Sequence, residues 1–171
     1  NPKLAVESLE LGDEMGYEMA PSMLGSIYLT GDNSIEQDLK KALFWFHKSE
    51  EKYQDSFSQG QLAFLYSSAT GRADIRDDVA SVYWAKKASD QQNIQGKTNL
   101  ASSYEWGEGV GQDGNFAIKT YKEIVELGNS EEAIGALKNI GFIYSMGLTN
   151  VTINFDTAID FYKQAEAMGD K

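Results

Sequence analysis

Four tyrosines recur at a nearly constant interval, and this self-similarity constrains the chain more than any other feature. Tyr28, Tyr66, Tyr104 and Tyr144 close the segments LGSIY, LAFLY, LASSY and IGFIY, at spacings of 38, 38 and 40 residues. A second register follows each one. Ala42, Ala80, Ala117 and Ala158 stand in KALFWF, VASVYW, FAIKTY and TAIDFY, 14, 14, 13 and 14 residues after the preceding Tyr. Two landmarks that keep step through four copies imply a repeated structural unit.

Each unit reads as two helices. Leu24, Leu62, Leu100 and Ile140 stand four residues before the Tyr, and Ala20, Ser58, Gly96 and Ala136 stand eight before it. Offsets of zero, four and eight share one helical face. Gly25, Ala63, Ala101 and Gly141, three before the Tyr, leave room for a neighbouring helix. Gly31, Gly107 and Gly147 follow the Tyr by three, where a left-handed cap suits glycine. The second repeat has Ala69 there and Gly71 two residues on, so its turn is expected to differ.

The second helix opens at Asp38, Asp113 or Asn154, all good N-caps. Repeat two has Arg76 in that slot, with Asp77 beside it expected to take the capping role. Large side chains follow the Ala by three and four residues: Trp45 and Phe46, Tyr83 and Trp84, Thr120 and Tyr121, Phe161 and Tyr162. The small and large positions interlock, which predicts an all-α chain, a right-handed superhelix of four helix pairs. Trp45 and Leu100 are expected in its core.

Composition removes whole classes of chemistry. No Cys excludes disulfides, thiol nucleophiles and cysteine-held metals, and a single His excludes a multi-histidine site. A net charge of -11 argues against nucleic acid and against an anionic membrane surface. No run reaches the roughly 18 apolar residues of a membrane span. With no initiator Met and no basic-apolar leader, any targeting segment is expected to be absent or already removed.

These motifs resemble the Sel-one-like repeat (SLR), a relative of the tetratricopeptide repeat. LGSIYLTG with DLKKALFWFHKS, and LASSYEWGEGVGQDGNFAIKTYKE, match its pattern closely; FSQGQLAFLYSSATG and IGFIYSMGLTNVTINFDTAIDFYKQA match more loosely. Residues 1–12 are taken as the second helix of a preceding unit, with repeats at 13–53, 54–92, 93–129 and 130–171. About three extra residues are placed near Asn129–Glu132. The resemblance implies an α/α solenoid that binds a protein or peptide and has no catalytic residue, cofactor or metal. It also implies a bacterial periplasmic or secreted setting, or the endoplasmic-reticulum lumen, ahead of the cytoplasm.

Partner-facing residues are expected on the first helices, at slots the repeat itself does not demand. Five before the Tyr stand Gln61, Asn99 and Asn139, and two before it stand Phe64, Ser102 and Phe142. Trp106 lies beside them. The amides would hold a partner backbone and the aromatic rings would anchor it. The acidic balance favours a basic or amphipathic partner.

Other features have structural explanations. His47 reads as an ordinary helix residue, and GEGVGQDGN (107–115) as an interhelical turn that lacks the Lys-Ser/Thr of a phosphate loop. The acid pairs Asp77-Asp78 and Glu131-Glu132 suit helix starts. Asn150-Val151-Thr152 is a glycosylation pattern at chance frequency. A β-lactam enzyme is the competing class. Its Ser-x-x-Lys element occurs only as Ser49-Glu50-Glu51-Lys52, without its companion motifs, and the cysteine pairs of β-lactam-binding relatives are missing. A third reading is a structural segment of a larger protein. Self-association through the terminal repeat is expected too, because the Tyr144 and Phe161 neighbourhood lacks a following unit.

Overall fold

A computed structural model describes residues 2–31, 34–127 and 131–169. Among these, nine α-helices and one short 3-10 turn form, with no strand. They are α1 (Pro2–Glu14), α2 (Ala20–Thr30), α3 (Leu39–Tyr53), α4 (Ser56–Tyr66), α5 (Asp78–Asp90), α6 (Ile94–Trp106), α7 (Gly114–Glu126), α8 (Glu131–Met146) and α9 (Phe155–Gly169). Helices pack on their sequence neighbours to make a solenoid. First helices also touch one another, α2 on α4, α4 on α6 and α6 on α8, whereas second helices make no comparable contact. The first helices therefore line the inner side of the curve.

One backbone bond repeats in every unit. The N-cap N–H of the second helix donates to the Tyr carbonyl: Asp38 to Tyr28, Asp77 to Tyr66, Asp113 to Tyr104 and Asn154 to Tyr144, at 2.8 to 2.9 Å. The cap side chains then accept from the first turn, as Asp38 does from Lys40 and Lys41. This pins the start of one helix to the end of the other.

Two tight contacts per repeat set the packing. Within a pair, the small residue three before the Tyr faces the large one of the second helix. A Cβ on Gly25 would lie 2.6 Å from the Phe46 ring, and one on Gly141 would lie 2.9 Å from the Tyr162 ring. Where the second helix offers only Ala85, the first offers Ala63, and both are fully buried. Between pairs, the residue eight before the Tyr meets the preceding second helix, so that a Cβ on Gly96 would stand 2.4 Å from Cβ of Ala88. Leu24, Leu62 and Ile140 are fully buried and Leu100 nearly so. Each such side chain contributes about 1.5–3 kcal/mol of apolar burial.

Repeat two corrects the alignment by one residue. Asp77 caps α5, as expected, but the core slot moves with it, so Ser81 takes the place expected for Ala80. Ser81 is buried and its Oγ donates to the Ala63 carbonyl at 2.8 Å. Tyr83, read as core, is consequently exposed. The extra residue is absorbed where the sequence leaves glycine out: α4 stops at Ser67, a 3-10 turn covers Ser68–Thr70, and Gly71 closes it with φ 64°.

Two more expectations fail. Trp45 is only half-buried, with its ring edge against Phe44 and the Lys48 ammonium over its face, while Phe46 fills the core. Tyr144 and Phe161 are not an uncovered end. Their rings stack at 5.9 Å against the cluster around Tyr121 and Ile140. The exposed terminal ridge is instead Ile159 and Tyr162. Of the insertion placed near Asn129–Glu132, Asn129 and Ser130 lie outside the described residues. Helix α8 starts at Glu131 and runs 16 residues, against 11, 11 and 13 for α2, α4 and α6, so extra length there is helical.

Candidate interaction groove

The inner slots of three consecutive first helices come together. Phe64 of α4, Asn99, Ser102 and Trp106 of α6, and Asn139 and Phe142 of α8 line one groove of about 560 Å³. Helical periodicity explains the set. Residues two and five before the Tyr lie one turn apart, on the side turned away from the second helix. Gln61 shares that slot but does not line this groove.

Aromatic and amide groups alternate along it. The Trp106 and Phe142 rings bridge α6 and α8, with centroids 5.6 Å apart. Trp106 is largely exposed, and Phe142 and Phe64 are half-buried. Both asparagines also make contacts within the fold. Asn99 donates to the Gly60 carbonyl at 3.4 Å and accepts from Gln95 at 3.3 Å. The Asn139 amide is directed at the Tyr121 hydroxyl. Each keeps donor and acceptor capacity beyond those bonds.

Sequence reasoning missed the floor. Glu105, one residue after the repeat Tyr, and Tyr121 of α7 both line the groove. Glu105 is 3% exposed, and its Oε2 accepts from the Tyr121 hydroxyl at 2.7 Å. Burial raises the Glu105 carboxyl above its ordinary range, with the Tyr121 bond opposing it. Burial and the adjoining Glu105 carboxylate also push the Tyr121 phenol upward. The available signal was an acid in a slot otherwise held by Leu29, Ser67 and Ser145.

A second groove of about 620 Å³ lies on the same inner side between α2 and α4. Met19, Met23, Ile27 and Phe57 make it largely apolar. Elsewhere the singled-out residues are structural. His47 is half-buried, with Nε2 2.8 Å from the Tyr66 hydroxyl and its ring on the edge of Trp84, and burial lowers its proton affinity. In GEGVGQDGN, Gly109 turns at φ 70° against α5, where a Cβ would fall 2.1 Å from the Asp78 carbonyl oxygen. Ser49 is buried and donates to Asp55, while Lys52 bonds Asp13, so the Ser-x-x-Lys element forms no site.

Known proteins share this architecture. A protective antigen of uropathogenic Escherichia coli with an SLR fold superposes with TM-score 0.76 at 25% identity, over 96% of this chain and 33% of that one. A Sel1 repeat protein from Oxalobacter formigenes gives 0.73 at 22% identity, over 99% and 65%. The chitin synthase regulator SKT5 of Saccharomyces cerevisiae is 25% identical over 80% of this chain. The Arabidopsis thaliana protein HRD3B, a component of an ERAD-associated E3 ubiquitin-protein ligase, is 30% identical over 61% of it. The chain spans only 19% and 16% of the length of these two relatives. The Sel1 repeat model matches residues 20–52, 56–93, 95–129 and 135–170. With four matched repeats over most of its length and the helix pairing they require, the chain belongs to the Sel1 repeat family.

Proposed function

We propose that the chain is a non-enzymatic interaction module, an adaptor or scaffold that holds an extended segment of a protein partner along its first helices. The observation that carries this reading is the convergence of Phe64, Asn99, Ser102, Trp106, Asn139 and Phe142, from three separate repeats, on one groove. Aromatic anchors beside amides suit a peptide, whose side chains need pockets and whose backbone needs hydrogen bonds. The relatives' names, a synthase regulator and a ligase component, fit a protein that acts by contact. The net charge of -11 favours a basic partner.

Peptides selected from a random display library against the folded chain test the reading. Selected peptides should perturb the amide signals of Ser102, Asn139 and Phe142, and Phe142→Asp should abolish capture while the helical circular dichroism persists. Peptides that map to the outer face of α3, α5 and α7 would overturn it. A nitrocefin-turnover assay addresses the enzyme class, and the expected result is no hydrolysis.

A second contact, self-association through the α9 end, is favoured by one comparison. The residue four after the Ala slot is buried in the inner repeats, as Phe46 at 0%, Ala85 at 0% and Tyr121 at 1%, yet Tyr162 is 40% exposed. In the inner repeats the next first helix helps cover it, as Phe57 does at Phe46. A second copy seated on Ile159 and Tyr162 would bury this apolar face.

A further inference from the structure

We propose that the groove between α4, α6 and α8 accepts an arginine side chain of the partner, with Glu105 as its counter-charge and the Trp106–Phe142 pair as its aromatic wall. This rests on the reading of the groove as the partner surface. Three charged side chains are almost fully buried among the described residues: Asp13, Lys97 and Glu105. Asp13 is held by Lys48 and Lys52, and Lys97 by Glu123. Glu105 meets the Tyr121 hydroxyl, and no cation among the described residues pairs with it. A buried carboxylate without a counter-ion is costly, and the cost is removed when a cation arrives.

Its position gives that charge a use. Among the described residues, Glu105 is the one charged residue that lines the groove, and no basic side chain stands there to neutralise it. A charge in a desolvated wall is screened by salt far less than one on the surface. The walls suit a guanidinium. Its flat face stacks on aromatic rings, which Trp106 and Phe142 present, and its edge donors match a carboxylate and the Asn99 and Asn139 carbonyl oxygens. A lysine ammonium is more strongly hydrated and lacks the flat face. A metal ion is disfavoured, because no group of three His, Cys, Asp or Glu suited to hold one occurs among the described residues.

The test uses four capped tripeptides, acetyl-Ala-X-Ala-amide with X as arginine, citrulline, lysine or glutamine, titrated into the whole chain. The readout is the Trp106 indole N–H and the Ser102 and Asn139 amides by two-dimensional NMR. The arginine peptide should bind about tenfold more tightly than the citrulline peptide, its uncharged isostere. Glu105→Gln should abolish that difference, chiefly by weakening the arginine peptide. The arginine–citrulline comparison on the unaltered chain stands even if the variant folds poorly. Equal binding of arginine and citrulline, with shifts confined to the groove, would overturn the cation site and spare the groove. Equal binding of arginine and lysine would overturn the guanidinium assignment. No groove shifts with any peptide would overturn both readings.

Discussion

Two buried acids show how one residue type meets opposite fates. In Asp13, burial alone would raise the carboxyl, but hydrogen bonds and charge from Lys48 and Lys52 outweigh it and hold the carboxyl below its usual range. The folded state then binds the proton less tightly than the unfolded chain. The stabilisation is present above about pH 3.9 and is lost as pH falls through the folded value. Asp13→Asn should lower stability at neutral pH by about 1–3 kcal/mol, with the deficit shrinking in acid, as followed by urea melts. Glu105 has the reverse sign. Its folded carboxyl is raised, so stability declines as pH rises from the ordinary Glu value through the folded one. Glu105→Gln should therefore raise the melting temperature at neutral pH, and the gain should vanish in acid. In the core, Phe46→Ala should lose about 3–5 kcal/mol and Leu100→Ala about 2–5 kcal/mol, while half-buried Trp45→Ala should lose clearly less than Phe46→Ala.

At the scale of the element, each second helix is anchored at its first residue. A cap that also donates its N–H to the Tyr carbonyl sets both the start and the phase of the helix. Repeat two shows this, since Asp77 caps α5 and the buried slots of that helix fall on Ser81 and Ala85, one residue on from the sequence alignment. Asp77→Ala should cost about 1 kcal/mol and Arg76→Ala clearly less, measured by thermal denaturation. Equal losses would remove the capping role from Asp77. The alignment erred because Ala80 looks like the repeat alanine while Ser81 does not. Ser81 is tolerated in the core because its hydroxyl bonds the Ala63 carbonyl, a partner no alignment displays.

At the scale of the molecule, curvature makes the groove and repetition makes the end. First helices meet along the inner side, so side chains at the two slots facing inward converge across repeats. A slot filled in three repeats is 40% exposed in the fourth, at Tyr162. Sedimentation equilibrium should show concentration-dependent association that Tyr162→Glu abolishes. A strictly monomeric chain at high concentration would remove self-association from the reading and leave the groove intact.

The fold was legible in the sequence because a solenoid is built from local patterns. The Tyr period, the small residues at Gly25, Gly96 and Gly141, and the caps at Asp38, Asp113 and Asn154 each act within one unit or its neighbour. The inward slots were legible for the same reason, since helical phase alone places Phe64, Ser102 and Phe142 on one side. What one residue sees across repeats was not legible. That Trp45 yields the core to Phe46, that Asn139 is turned to Tyr121, and that Glu105 lies buried beside a phenol are set by the angle at which pairs stack. That angle depends on the summed fit of side chains such as Gly96 on Ala88 and Ala63 on Ala85, which meet only in the packed molecule.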